Sequence, residues 1–226
     1  MALHYSTYFN VAHKEFEHLG VYDGYLDKDS LLHIDPLNLK NCKEPELKEA
    51  YAKFMQFFKS FVPLVYYAKS EDLKDRFFKR IVERYTMKEI PNTGLGFSKT
   101  NTHGKGISGA LAVQLASSTY AIIKAGMMDP EIFGLMQLIE DNIAADRISD
   151  MTLSILQKDF LCYTERIAKE LQLPTHHFKY DYDTVFNVPY YKNKPIHFIP
   201  MCILSELPIA VDYEDIDSVV NYNLQL

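Results

Sequence analysis

The chain has 226 residues, 47% of them hydrophobic, and a formal net charge of −6. That is enough apolar content to bury a core, and the acidic balance argues against broad coating of nucleic acid, although a local basic groove can sit inside an acidic total. Cys42, Cys162 and Cys202 are odd in number and scattered, with no C-x-x-C pair, which fits reduced cytoplasmic thiols better than a disulfide framework or structural zinc.

The opening carries no basic stretch leading into a long apolar run, and the best apolar run, Phe61 to Ala68, is short and interrupted by Pro63. A cytoplasmic protein without a membrane segment is expected. Tyr5 to Leu19 puts Phe9, His13, Phe16 and Leu19 on one helical face and reads as a short helix. His13, Glu17 and His18 invite a metal reading, but their spacing is not that of a zinc-binding histidine pair, and a plain surface face is the simpler account. Asp23-Gly24 and Asp27 to Ser30 then mark turns, and Leu31 to Ile34 is a small strand cut off by Asp35-Pro36. Asp27, Asp29 and Asp35 are residue types that either cap turns or ligate a hard cation. Asp35 followed by Glu46-Leu47-Lys48 has the residue types of a D…ExK nuclease core, with the ExK at a helix start rather than on a strand.

From Glu46 the periodicity is helical, with Leu47, Ala50, Tyr51, Phe54, Phe57, Phe58 and Phe61 on one face and Pro63 kinking or ending the element. A second amphipathic helix is predicted from an N-cap at Ser70 to Tyr85. Its basic residues Lys74, Arg76, Lys79, Arg80 and Arg84 form a solvated face or one that meets a phosphate partner.

Gly94 to Gly109 holds five of the nine glycines and reads as a loop. It runs into ALAVQLASSTYAIIKAG, a small-residue helix whose first amides point back at the loop. His103, Gly104, Lys105, Gly106 and Ser108 there form a candidate phosphate or anion site, although the match to a P-loop fails. Gly126 ends that helix, and Asp129-Pro130-Glu131 begins a deeply apolar one.

The most charged junction is LIEDNIAADRISDM, Leu138 to Met151. Asp146 and Asp150 lie four apart, on one face at the start of a long helix whose Leu153, Leu156, Phe160, Tyr163, Ile167 and Leu171 form an apolar stripe ending at Leu173-Pro174. In one reading Asp146 caps the helix and Arg147 pairs with Glu140 or Asp141. In the other, Glu140, Asp146 and Asp150 converge on a divalent ion such as Mg²⁺ and are catalytic. Beyond Pro174, Thr184 to Val188 and Ile196 to Ile203 are β-rich runs around PYYKNKP, which predicts a hairpin with an aromatic and basic tip at Tyr190, Tyr191, Lys192 and Lys194. Ile216 to Leu224 is a last helix candidate. With no repeats and no linker, a single mainly α domain is expected over residues 1–226, of about six helices, with a small antiparallel hairpin region at 178–210.

IDPL at Ile34 to Leu37, ADRISDMT at Ala145 to Thr152 and FIPMCILSELPIA at Phe198 to Ala210 together resemble an uncharacterised bacterial family associated with anti-phage defence. Ala144 stands where that pattern carries glycine. The resemblance implies a context in prokaryotic immunity without a chemistry. Two functions follow as expectations: a metal-dependent phosphodiester-processing effector, a nuclease or nucleotide-acting enzyme, or a non-catalytic recognition or adaptor subunit that binds a partner protein or nucleotide. A protein partner or homo-oligomer is expected, with nucleic acid as a further candidate.

Overall fold

The computed structural model describes residues 2–95, 106–129 and 145–206. These form a mainly helical α+β fold with small antiparallel strand pairs, the class the sequence predicts. The helices are α1 (Tyr5–Phe9), α2 (His13–His18), α3 (Ala50–Lys59), α4 (Phe61–Tyr67), α5 (Arg76–Tyr85), α6 (Gly109–Lys124), α7 (Ala145–Ile155) and α8 (Gln157–Glu170). The strands are β1 (Leu32–Ile34), β2 (His176–Lys179), β3 (Val185–Val188), β4 (Tyr190–Tyr191), β5 (Lys194–Pro195) and β6 (Leu204–Glu206). None of the described helices is long and apolar enough to cross a membrane.

Several helices that periodicity assigns as single are divided. The first is cut by Asn10, whose left-handed backbone (φ 54°) ends α1, a conformation asparagine tolerates well. The aromatic run breaks at Ser60 rather than at Pro63, which sits in the first turn of α4, where a missing N–H forfeits no helical bond. Helix α5 starts at Arg76, and its N-cap is Asp75, not Ser70. The Asp75 carboxylate accepts the N–H groups of Lys69 (2.9 Å), Phe77 (2.8 Å) and Phe78 (3.1 Å), and the Lys69 and Phe78 bonds lead in holding its pKa below the ordinary value. The long helix after Arg147 bends at Leu156, so α7 and α8 are separate elements. The bend lets Leu153, Leu156 and Phe160 all enter one apolar cluster with Ile34, Ile199 and Ile203.

Helices α7 and α8 thread the core. Ile148 and Met151 belong to the cluster built by α3 to α6 around Phe58, Phe78 and Leu115. Tyr163 and Ile167 pack with Tyr5, Phe16 and Phe198 beneath the N-terminal helices, and Leu161 meets Phe186 and Val188 of β3. Each cluster therefore takes part of its apolar surface from this one helical pair.

The predicted hairpin tip is present, but its strands are not the expected ones. β4 and β5 pair across Lys192 and Asn193, both at positive φ as a two-residue turn requires. β3 instead pairs with β2, Phe186 opposite Phe178, and residues 196–200 are not a strand. β6 pairs antiparallel with β1, Ile34 opposite Leu204. The helix expected from Pro130 and the candidate at residues 216–224 lie outside the described residues.

The described ends of the glycine run are anchored by backbone. Ile107 exchanges hydrogen bonds with Met87 (2.8 and 2.9 Å). Gly106 has φ 56°, and a Cβ there would lie 2.4 Å from the Met87 carbonyl oxygen. Gly109 shares that φ but has open space around it. Gly106→Ala is therefore expected to lower unfolding free energy by about 2 kcal/mol or more, and Gly109→Ala by about half as much, in urea titrations. Equal effects of the two would contradict the close approach.

Candidate functional site

The three stretches that carry the family resemblance are far apart in sequence and meet at β1. β1 is hydrogen-bonded to β6 on one edge, and the Asp35 N–H continues the contact to the Ile203 carbonyl at 3.0 Å. On its other edge the buried Ile34 N–H donates to the Ser149 hydroxyl of α7 at 2.7 Å. Asp35 then caps the 3-10 turn Pro36–Asn41 by accepting the Leu37 N–H at 2.9 Å, and the Asn38 amide donates to the Ser205 hydroxyl at 3.3 Å. IDPL, ADRISDMT and the middle of the third stretch are thus one hydrogen-bonded unit.

The predicted acidic centre is only partly in view. Glu140 and Asp141 lie outside the described residues, as does the side chain of Asp146; so do the predicted Arg147–Asp141 pair and His103, Gly104 and Lys105 of the anion loop. Asp150 is half-buried on α7. The structure does bring Arg147 to the glycine run: its guanidinium donates to the Gly106 carbonyl. Ser108 occupies the N-cap position of α6 in extended backbone and makes no capping bond through its side chain. Among the described residues no group of three or more His, Cys, Asp or Glu is placed to hold a metal ion.

Polar groups outside these predictions are tied into the fold. Asp23, almost fully buried, accepts the Ser6 N–H (2.8 Å), the Ser6 hydroxyl (2.5 Å) and His13 Nδ1 (2.6 Å). The Ser6 hydroxyl donates to the carboxylate and not to the imidazole, so the trio lacks the serine–histidine contact that activates a nucleophile. The bond to Asp23 raises the His13 pKa. Asp27 accepts the Leu3 N–H at 3.0 Å. Arg166 of α8 gathers three carboxylates, Glu44 (2.5 Å), Glu46 (2.8 Å) and Glu170 (3.0 Å), so Glu46 of the ExK triplet is spent on an ion pair. The aromatic and basic hairpin tip is also built in. Tyr191 packs edge-on against Tyr8, and the Asn92 amide donates to the carbonyls of Tyr191, Lys194 and Pro195. Sequence reasoning missed Asp23 and Arg166, since all the partners of the first and two of the three of the second come from other elements.

A cluster of exposed large apolar side chains lies at the C-terminal end of α4. Tyr66 and Tyr67 are 76% and 59% exposed, because the buried stripe of α4 runs through Phe61 and Val65 and leaves them outside it. They meet edge-on, centroids 5.2 Å apart, and Tyr67 packs on Phe77 of α5 at 5.5 Å. Arg76 lies over the Phe77 ring, and Leu73 is exposed beside it in sequence. The end of α6 joins this region through Lys124, which donates to the Ala68 carbonyl at 3.3 Å, and is followed by the exposed Met127 and Met128. Residues 59–88 hold eight Lys or Arg against four Asp or Glu, a local excess of four positive charges in a chain of net −6. A helical wheel of Phe54, Phe58, Phe61 and Val65 is the sequence signal that exposes the tyrosine pair.

One family model matches the chain, over residues 10–212, and it is described as a domain of unknown function, DUF8370. No curated protein and no solved structure matches.

His197, between the buried Ile196 and Phe198, gives the fold a clear pH signature. It is fully buried, and desolvation pushes its pKa down to about 4 against a weaker opposing contribution from the Pro91 backbone. The unfolded chain takes up a proton near pH 6.5, so the stability tied to neutral His197 is complete above that pH and is lost as pH falls towards 4. The loss is about 3 kcal/mol. Denaturant unfolding between pH 7 and 4 should show this slope in wild type and lack it in His197→Phe; parallel slopes would refute the assignment.

Proposed function

The chain belongs to the DUF8370 family, and we propose that it is a non-catalytic recognition or adaptor component of a prokaryotic anti-phage defence system, binding an acidic partner protein through the end of α4 and the start of α5. The defence context rests on the resemblance of the IDPL, ADRISDMT and FIPMCILSELPIA stretches. The observation that carries the recognition role is the exposed Tyr66–Tyr67 pair framed by Phe77, Leu73, Lys69, Lys74 and Arg76. Tyrosine and arginine supply much of the binding energy at protein interfaces, and a contiguous exposed apolar patch with a charged rim marks such sites. A protein fits better than nucleic acid. The two rings stand at 88° to each other, which offers no parallel platform for successive bases, and Glu71, Asp72, Asp75 and Glu83 are interspersed among the cations, where they would repel a phosphate backbone.

The competing effector reading needs Mg²⁺ on Glu140, Asp146 and Asp150, with His103, Lys105 and the start of α6 on phosphate. One assay separates the two. In cells carrying the chain in its native genomic context, Tyr66→Ser, Tyr67→Ser, Arg76→Glu is expected to lose protection against phage by at least about thirtyfold, the equivalent of one lost hot spot. It should keep its melting temperature. Asp150→Asn should protect like wild type, and Mg²⁺ or Mn²⁺ should leave the melting temperature unchanged. Loss of protection in Asp150→Asn together with a metal-dependent rise in melting temperature would sink the adaptor reading in favour of the effector.

A further inference from the structure

We propose that Cys42 and Cys202 are a redox-modification site, a dithiol that closes to an intramolecular disulfide under oxidising conditions and staples the 3-10 turn Pro36–Asn41 to the start of β6. The two residues are 160 apart in sequence, yet the Cys202 thiol points at the Cys42 sulfur at 3.6 Å, in an S–H···S contact. A disulfide bond needs the sulfurs to approach by roughly another 1.6 Å. Cys42 follows the turn capped by Asp35, and Cys202 lies in the 3-10 turn Met201–Ile203 that leads into β6. A bond here would therefore fasten the two segments that hold β1.

The pair is asymmetric in a way that orders the chemistry. Cys42 is buried and Cys202 is exposed, so an oxidant meets Cys202 first. Burial, offset in part by the Glu44 backbone N–H, pushes the Cys42 thiol up to about 12, which keeps it protonated and inert until a neighbouring sulfur is activated. The Tyr163 hydroxyl is buried and without a partner among the described residues; burial and then the Glu44 carboxylate lead in raising its pKa, and the thiolate forms of Cys202 and Cys42 add to the rise.

With a low-molecular-weight disulfide as oxidant, the Cys202 thiolate attacks one sulfur, the small-molecule S–S bond breaks, and one small thiol leaves and is protonated by solvent. Cys42 then gives its proton to solvent and attacks the Cys202 sulfur, releasing the second small thiol. Two protein thiols are oxidised and one disulfide is reduced to two thiols, so atoms and electrons balance. Cys162, half-buried on α8, takes no part.

The test is equilibration of the full chain in buffers of increasing oxidised-to-reduced glutathione ratio, followed by acid quench, alkylation and intact-mass measurement. Wild type should lose two hydrogens, keep one alkylatable thiol of three, stay monomeric in mass, and gain about 5 °C in melting temperature from the closed loop. Cys42→Ser should stall as a glutathione adduct on Cys202, Cys202→Ser should keep both remaining thiols free, and Cys162→Ser should oxidise like wild type. Retention of all three thiols in wild type at the most oxidising ratio, or a bond that includes Cys162 or a second chain, would overturn the proposal. The wild-type measurement decides it even where a variant fails to fold.

Discussion

The fold depends on the hydrogen bond from the buried Ile34 N–H to the Ser149 hydroxyl. A three-residue strand paired with a single neighbour leaves every second amide facing away from its ladder, and a buried amide with no acceptor costs about 1–3 kcal/mol. β6 satisfies one edge of β1, and α7 satisfies the other through one serine. That serine fixes the height of α7 against β1. Because α7 and α8 contribute to every apolar cluster among the described residues, it also sets where the N-terminal helices, the α3 to α6 bundle and the β2–β3 pair can dock.

Charge is distributed unevenly between the groups that tie elements together and the surface assigned here to the proposed partner. The carboxylates Glu44, Glu46 and Glu170 are collected by Arg166, Asp23 is consumed by Ser6 and His13, and Arg147 is drawn to a backbone carbonyl at the end of the glycine run. Those groups hold elements together. The positive excess lies on residues 59–88, around aromatic rings that the helical stripe of α4 cannot bury. A surface of this kind costs solubility unless something occupies it, which ties the packing of α4 to the proposed partner.

Local chemistry was legible and pairing was not. Asp35-Pro36 stops β1 as turn residues dictate, Gly126 closes α6 at φ 90°, and the stripe from Leu153 to Ile167 is buried as its spacing requires. The bend at Leu156 carries no proline or glycine and follows from core shape. Ser70 and Asp75 are both competent caps, and the helix uses the second, whose carboxylate accepts the Phe77 and Phe78 N–H groups and that of Lys69 as well. The partner of β3 is HHFK, mostly exposed and without apolar alternation, so no pattern marked it. At the candidate site, IDPL and ADRISDMT stood out as residues, but their meeting at β1, like the approach of Cys42 to Cys202, is a long-range contact that a periodicity cannot encode.

Residue-resolved native-state hydrogen exchange at Ile34 tests this account most directly. If the Ser149 bond holds β1 within the core, the Ile34 amide exchanges only through global unfolding, with the same free energy as the amides of Phe160 and Tyr163, and Ser149→Ala selectively lowers protection at Ile34 and Asp35. Exchange of Ile34 through a low-energy local opening in wild type, with the α8 amides still fully protected, would show that β1 is a loosely attached edge and would contradict the central role given to this contact.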